Sequence, residues 1–347
     1  MTFSCISLNE LTAMYDLSGN SLIQPLVRDI SLMVSDIRWQ VGVCISQDSD
    51  QIIAAVPFRW VLRGAHVPYP MADIINCFGE SSVENTTFLG GSGVSLWGAW
   101  VADSCFLSEI PGLVAHIPRC ANSSTIIAAN TPRDQVSWFV DSLGLQTRQI
   151  EDVNQFAEFD LTGFMDISQW LIGQKAKVRQ TIRQDLKDRE FLSGSFTVNP
   201  CNWDYIEQHI PLFLDVVHNN GESRPEALVK QELRQFISTS ERSGGQLICF
   251  EYSETPTGTI GLVLAEKLGH VLNLAYIGLR KDAANRREVY ANLMGTVPLE
   301  FSFSNQITRV LLGCSHVDVK RRRGAQIMQL CHLIWKMESD KRILPEA

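Results

Sequence analysis

The sequence predicts an α/β fold made of mixed, mostly antiparallel sheets flanked by helices, arranged as two tandem units. Its 347 residues exceed the length that a single hydrophobic core usually serves. Hydrophobic residues make up 45% of the chain and charged residues 20%, which is typical of a folded protein with a substantial core. A β-hairpin pattern also occurs twice, which indicates either two copies of one α/β unit or the recurrence of a common element.

The first hairpin pattern comprises two β-rich runs, residues 41–46 and 51–58, around a polar turn. The same pattern returns at residues 246–252 and 259–264, around a turn that contains Pro256 and Gly258. After the second hairpin we expect a third strand at residues 270–278, a helix at 285–294 and an apolar strand at 308–313. This order predicts a mixed sheet with helices on its faces.

Between the two hairpins the pattern predicts one helix over residues 166–190, with Asp166 as its N-cap. Apolar residues at Ile167, Leu171, Val178, Ile182 and Leu186 keep helical spacing. We place the domain boundary just before this helix, which gives an N-terminal domain at residues 1–160 and a C-terminal domain at 161–347.

Charge and cysteine content limit the choice of partner and compartment. The formal net charge of −8 provides no general attraction for nucleic acid or anionic membranes, so such a partner requires a local basic patch. Nine cysteines without C-x-x-C spacing are typical of reduced core residues. With neither a leader pattern nor an apolar run long enough to span a membrane, we expect a cytoplasmic protein.

Several enzyme classes lack support in the sequence. It contains no P-loop, no G-x-S-x-G motif, no H-E-x-x-H motif and no clustered Cys/His spacing. We therefore predict no metal site and no permanently bound cofactor.

Residues 311–325 form the most informative segment, because they predict a buried strand, a turn and a helix start that is rich in basic residues. Together with other motifs this segment resembles the Fem-type branch of the GNAT N-acyltransferase superfamily. The resemblance rests on Lys177 to Arg183, the strand end Ile277-Gly278, Tyr290, and Gly313 seven residues before Lys320. It implies two tandem GNAT-like domains, with the transfer site in the C-terminal domain.

The resemblance implies an N-acyltransferase that moves an acyl or aminoacyl group to an amine of a small molecule or peptide. Such a transfer needs a positive charge or N–H groups beside the developing oxyanion, and a base for the amine proton. Lys320 is the expected oxyanion-stabilising residue, and His316 and Asp318 are candidate bases. The alternative for this segment is a solvated basic face with a turn histidine and an Asp–Arg ion pair.

Two activated donors remain open, aminoacyl-tRNA and acyl-CoA. We favour aminoacyl-tRNA, since residues 279–287 lack the glycine pattern with which acyl-CoA enzymes bind pyrophosphate. A further alternative is a non-catalytic module that binds RNA or protein. The candidate donor-binding residues are Lys175, Arg179, Arg183, Arg321 and Arg323, and the candidate substrate-binding residues are Tyr276, Tyr290 and Trp97; structural roles remain the alternative for each.

Overall fold

The computed structural model describes residues 2–6, 39–48, 51–61, 86–89, 100–101, 104–121, 125–133, 136, 146–242 and 244–336. The chain divides into two compact units. Unit 1 comprises Met1–Asn154 and Gln329–Ala347, and unit 2 comprises Gln155–Met328.

Unit 1 contains a mixed sheet and a helix. Its strands are β1 (Thr2–Ile6), β2 (Trp39–Asp48), β3 (Gln51–Val61), β4 (Thr86–Leu89), β5 (Trp100–Val101), β6 (Thr125–Pro132) and the C-terminal part of β13 (Gln326–Lys336). The order is β1-β2-β3-β4-β6-β13, and β5 pairs with β3. Only the β4–β6 pair is parallel among these strands. Helix α1 (Ile110–Ala121) provides the crossover between β4 and β6.

The core of unit 1 lies between α1 and its sheet. Ile110, Leu113, Val114 and Ile117 are fully buried on one face of the helix, because the spacing i, i+3, i+4, i+7 places them in line. They pack with buried strand residues such as Phe58. The first predicted hairpin is therefore confirmed as β2 and β3, which pair antiparallel.

The strands of unit 2 form a mixed set, antiparallel and parallel, with helices on both faces. Its strands are β7 (Gln146–Asp160, which begins in unit 1), β8 (Ser195–Pro200), β9 (Gln246–Glu254), β10 (Gly258–Leu268), β11 (Val271–Leu279) and β12 (Arg309–Gly313). Its helices are α2 (Ile167–Gly173), α3 (Ala176–Glu190), α4 (Trp203–Gln208), α5 (Ile210–Asn219), α6 (Glu226–Arg242), α7 (Arg286–Ala291), α8 (Val297–Ser304) and α9 (Val317–Arg321). One π-helical turn, Asn292–Thr296, joins α7 to α8.

The strand order of unit 2 is β7-β12-β11-β10-β9-β8, and within it only β11 and β12 run parallel. This confirms the second hairpin, the third strand and the parallel strand that follows a helical crossover. Each unit thus has one parallel pair formed across a helix, followed by an antiparallel neighbour. The predicted fold class, two tandem α/β units with mixed, mostly antiparallel sheets, is confirmed.

Side chains of the unit 2 sheet alternate between two cores. Along β10, Val263 and Ala265 face a cluster that includes Trp170 of α2 and Ile182 of α3. The intervening residues Leu262 and Leu264 face a second cluster under α4, α5 and α6. Gly278 of β11 allows α5 to approach closely, since a Cβ there would lie 2.8 Å from the Cβ of Leu212 and 3.1 Å from the backbone of Phe213.

The prediction of one helix over residues 166–190 was wrong in its centre. Asp166 does cap the first helix, since its side chain accepts a hydrogen bond of 2.8 Å from the backbone N–H of Gln169. However, α2 ends at Gly173, and both Gln174 and Lys175 have extended backbone, with ψ of 156° and 149°. Glycine has a low helix propensity, and the Phe164 ring lies over Gly173. The chain therefore forms two helices, with Lys175 as the N-cap of α3.

The structural division differs from the predicted boundary at residue 160. Unit 2 begins at Gln155, and Gln329–Ala347 groups with unit 1. The physical reason is that Leu330 to Lys336 of β13 pair with β6. Six described cysteines are outside disulfide bonds, but Cys5 is disulfide-bonded, so the expectation that all nine are reduced was wrong there. In the described part of the chain, no helix combines the length and the apolar character that crossing a bilayer requires.

Candidate functional site

Lys320 lies buried at the carboxyl end of β12. The chain leaves this strand through Gly313 and His316, whose φ values of 78° and 49° form a tight turn, and α9 then leads back. Lys320 is only 3% exposed. Its Nζ donates hydrogen bonds to the carbonyl oxygens of Leu312 and, at 3.3 Å, of Gly313. The expected oxyanion-stabilising residue is therefore held against the end of the strand and does not lie on a solvated face.

Burial lowers the pKa of Lys320 to about 8, because the low-polarity surroundings disfavour the charged ammonium. Cys314 lies close enough for its charge to interact with the ammonium, and the pKa of the Cys314 thiol is raised by burial and lowered by Lys320. Among the described residues, the carbonyls of Leu312 and Gly313 are the acceptors for Nζ. A lysine ammonium has three N–H donors, so these two carbonyls do not use all of them.

The strands β11 and β12 separate beside Lys320. Their parallel pairing covers Val271 to Asn273 with Arg309 to Leu311 and goes no further. β11 continues to Leu279 beyond the last pair, and the carbonyls that Nζ contacts follow the last pair on β12. The structure thus brings the ammonium to the gap that opens where β12 leaves β11, and backbone N–H groups of β11 beyond Asn273 are not used in pairing with β12.

His316 and Tyr290 lie at the same corner. Their ring centroids are 6.5 Å apart, with the planes at 82°. His316 is exposed, whereas burial raises the pKa of Tyr290. Asp318 is also exposed and forms an ion pair of 2.6 Å with Arg321. The corner therefore contains Lys320 and both candidate bases, but the Asp318 carboxylate already has a cationic partner.

Of the three arginines that follow Lys320, Arg321 and Arg323 form ion pairs with carboxylates. Arg321 bonds Asp318 at the surface, while the guanidinium of Arg323 makes a two-pronged contact with Asp185 of α3. The side chains of Arg323 and Asp185 are only 12% and 10% exposed. Arg323 also donates to the backbone oxygen of Val319. Arg323 therefore joins α9 to α3, and its role as a donor-binding residue remains a prediction.

The sequence reasoning missed Asp185 and Asn292. Asn292 is fully buried in the π-helical turn, where its Nδ2 donates to the backbone oxygens of Glu288 and Asp185. Its Oδ1 accepts a hydrogen bond of 2.5 Å from Thr296. A polar residue inside the apolar run from Tyr290 to Leu299 was the available signal. These contacts fix α3 against the α7–α8 segment.

A basic face runs along α3. A surface cavity of about 330 Å³ is lined by Ala176, Arg179, Gln180, Arg183, Gln184 and Lys187. Their spacing of three and four residues places them on one side of the helix. Arg179 also donates to the backbone oxygen of Gln174. Of the predicted donor-binding residues, Arg179 and Arg183 line this cavity, and the exposed Lys175 precedes its helix.

The predicted substrate-binding residues do not form one group. Tyr276 lies on the other face of the sheet from Tyr290, where its ring meets Phe236 of α6 edge to face at 5.4 Å. Tyr290 packs against the first cluster, beside the Lys320 corner. Trp97 lies outside the described residues. Within the described ranges no group of His, Cys, Asp and Glu is arranged to hold a metal ion.

The fold has clear counterparts among solved structures. FemX superposes with a TM-score of 0.64 at 10% identity, over 97% of this chain and 98% of the FemX chain. A tandem GNAT protein from the clavulanic acid biosynthesis pathway has a TM-score of 0.52 at 11% identity, with coverages of 98% and 99%. The C-terminal domain of a putative lysylphosphatidylglycerol synthetase from Agrobacterium fabrum has a TM-score of 0.50 at 10% identity, with coverages of 91% and 92%.

Sequence comparison contributes nothing further, since neither a protein-family model nor a curated protein matches this chain. At identities near 10% the likeness concerns the fold alone. It extends over nearly the whole chain. The chain therefore shares the fold of FemX and of the tandem GNAT protein.

Proposed function

We propose that this protein is an N-acyltransferase that moves an acyl or aminoacyl group from an activated donor to an amine of a small molecule or peptide. The observation that carries the proposal is the position of Lys320, with its ammonium at the gap between β11 and β12. Burial lowers the pKa of this lysine, and side chains with perturbed pKa values cluster at functional sites. The tandem GNAT fold supports the same class of reaction.

In this proposal the carbonyl group of the donor lies in the gap between β11 and β12, next to the ammonium of Lys320. The amine attacks the carbonyl carbon, and the carbonyl oxygen becomes an oxyanion that receives the third N–H of Lys320 and N–H groups of β11. The amine loses a proton, for which exposed His316 is the better placed base, because Asp318 is paired with Arg321. The tetrahedral intermediate then collapses to an amide and releases the protonated leaving group of the donor.

Aminoacyl-tRNA is the donor that we favour over acyl-CoA. Arg179, Arg183 and Lys187 line one face of α3, and a row of cations about 6 Å apart suits a phosphate backbone. After Leu279, residues 280–285 lead to α7 without a glycine, so the backbone there lacks the loop that usually cradles a pyrophosphate. The basic face and Lys320 belong to connected helices, because Asp185 of α3 holds Arg323.

The test is a transfer assay with two donors in parallel, a mixed aminoacyl-tRNA pool and a panel of acyl-CoAs, using primary amines and short peptides as acceptors. We expect amide formation from aminoacyl-tRNA that Lys320→Ala abolishes while tRNA binding persists. Transfer only from acyl-CoA would replace the favoured donor. Binding of tRNA without transfer to any acceptor would support the non-catalytic RNA-binding alternative, and turnover by Lys320→Ala equal to wild type would remove Lys320 from the mechanism.

A further inference from the structure

Three large apolar side chains are exposed together at the start of unit 2. Met165 is 80% exposed, Ile172 is 77% exposed and Phe164 is 37% exposed. The Phe164 ring lies over Gly173, with its Cε1 and Cζ atoms 3.6 Å from the position of a Cβ at that residue. This places the Phe164 ring at the end of α2, over the residue that follows Ile172. We name these three residues the apolar patch.

Hydrogen bonds hold the apolar patch in place. The loop before α2 turns at Gly163, with φ of 81°, and the backbone N–H of Phe164 donates to the Leu161 oxygen at 3.1 Å. The backbone N–H of Met165 donates to the Gln169 side chain at 3.2 Å. The loop is thus fixed to the helix that follows it, and it presents Met165 outward. Exposed apolar groups on a fixed support are typical of an interaction surface.

Positive charge borders the apolar patch. Lys175 and Lys177 are exposed and follow Ile172 by three and five residues. Residues 164–183 contain four basic residues, Lys175, Lys177, Arg179 and Arg183, and one acid, Asp166, so this segment has a net charge of +3 within a chain of −8. The single carboxylate, Asp166, caps α2 through Gln169.

We propose that the apolar patch and the adjacent lysines bind the surface of an anionic lipid membrane. Apolar side chains that insert between headgroups, with lysines that reach phosphates beside them, are the two components of peripheral membrane binding. A flat nucleic-acid contact would bury phosphate against Met165 and Ile172, which is unfavourable. A partner of the same charge pattern, such as a second copy, would bring like charges together. An anionic bilayer provides an apolar layer for the apolar patch and phosphates for the adjacent lysines.

The test is flotation of the purified protein with vesicles of equal parts phosphatidylcholine and phosphatidylglycerol, and with phosphatidylcholine alone. We expect binding to the anionic vesicles only. The double variant Met165→Ser/Ile172→Ser should bind at least tenfold more weakly, and Lys177→Gln about fivefold more weakly. Phe191→Ser, at the far end of α3 and equally exposed at 75%, and Lys230→Gln on α6 are matched controls that should bind as wild type.

Thermal denaturation of each variant establishes that it folds. Met165, Ile172, Lys177 and Phe191 are exposed, and Lys230 is half-buried in a surface ion pair, so we expect little loss of stability. Absence of vesicle binding by the wild-type protein, or binding that survives the double variant, would overturn the proposal. So would a double variant that has lost tRNA binding or dimerisation, since the patch would then serve another partner. The proposal does not depend on the transfer reaction, because vesicle binding and amide formation are measured separately.

Discussion

Asp185 receives two hydrogen bonds from Arg323, from Nε to Oδ2 at 2.7 Å and from Nη2 to Oδ1 at 3.2 Å, across 138 positions of sequence. Both side chains are nearly buried. Burial raises the pKa of Asp185, and the hydrogen bond and charge of Arg323 oppose that rise. This ion pair is the link between α9, which carries Lys320, and the basic helix α3.

Removal of one member of this pair should destabilise the protein strongly, because the other charge would remain buried without a partner. We expect Arg323→Ala to lower the free energy of unfolding by about 3 to 5 kcal/mol, measured by urea denaturation. The matched control is Arg321→Ala, which removes an exposed ion pair two residues away and should cost about 1 kcal/mol or less. Equal losses for both variants would contradict the role that we assign to the buried pair.

The rate of transfer should fall as the pH rises through about 8. The ammonium of Lys320 is present below its pKa of about 8 and is lost above it, so oxyanion stabilisation declines in that direction. The measurement is kcat/KM from pH 6 to pH 10 with a donor that is stable over this range. Lys320→Arg provides the control, since its charge persists throughout, and its residual activity should show no such decline.

Neutralising the basic face of α3 should weaken donor binding and its salt dependence together. For Arg179→Gln/Arg183→Gln we expect the slope of log affinity for tRNA against log salt concentration to become shallower by roughly 1.5 to 2. Filter binding at several salt concentrations gives this slope. Lys230→Gln, which removes a basic residue from α6, should leave it unchanged. If the slope of log affinity against log salt concentration is unchanged in the double variant, Arg179 and Arg183 do not contact tRNA phosphates, and α3 has a solvated basic face.

Gly324 should tolerate no side chain. Its φ is 91°, and a Cβ there would lie 2.9 Å from Trp170 and 3.0 Å from Val178. Gly324→Ala therefore combines backbone strain of about 1 to 2 kcal/mol with a steric clash in the core. Gly221→Ala isolates the strain, because Gly221 has φ of 77° and nothing within 4 Å of a Cβ. Thermal denaturation should show a clearly larger loss for Gly324→Ala, and similar losses would refute the clash.

The sequence was sufficient for elements whose signal is local. Both hairpins, the N-cap at Asp166 and the strand before Gly313 could be predicted, because alternation, turn residues and capping residues act over a few positions. The burial of Lys320 could not, since it depends on where α9 returns against β12. The three-residue spacing of Lys320 and Arg323 indicates one shared side of the helix, but it does not indicate whether that side is buried.

The candidate site was predicted less completely than the fold. Lys320, His316 and Tyr290 do meet at one corner, but Tyr276 faces the opposite side of the sheet. A shift in the β10–β11 register, between Leu264 and Ala265, changes the alternation of side chains on β11. The pattern of apolar residues along β11 does not predict such a bulge. The contact between Arg323 and Asp185 likewise depends on tertiary packing and has no local signature.

The pairing of β13 with β6 has a consequence for synthesis on the ribosome. β6 ends at Pro132, yet its antiparallel partner begins at Leu330, almost 200 residues later. While the nascent chain is still short, one edge of β6 lacks this partner, and unpaired edges are templates for misassembly. Residues 155–328 emerge in the meantime and contain the strands of their own sheet. We therefore expect the middle of the polypeptide to become protease-resistant before its beginning does.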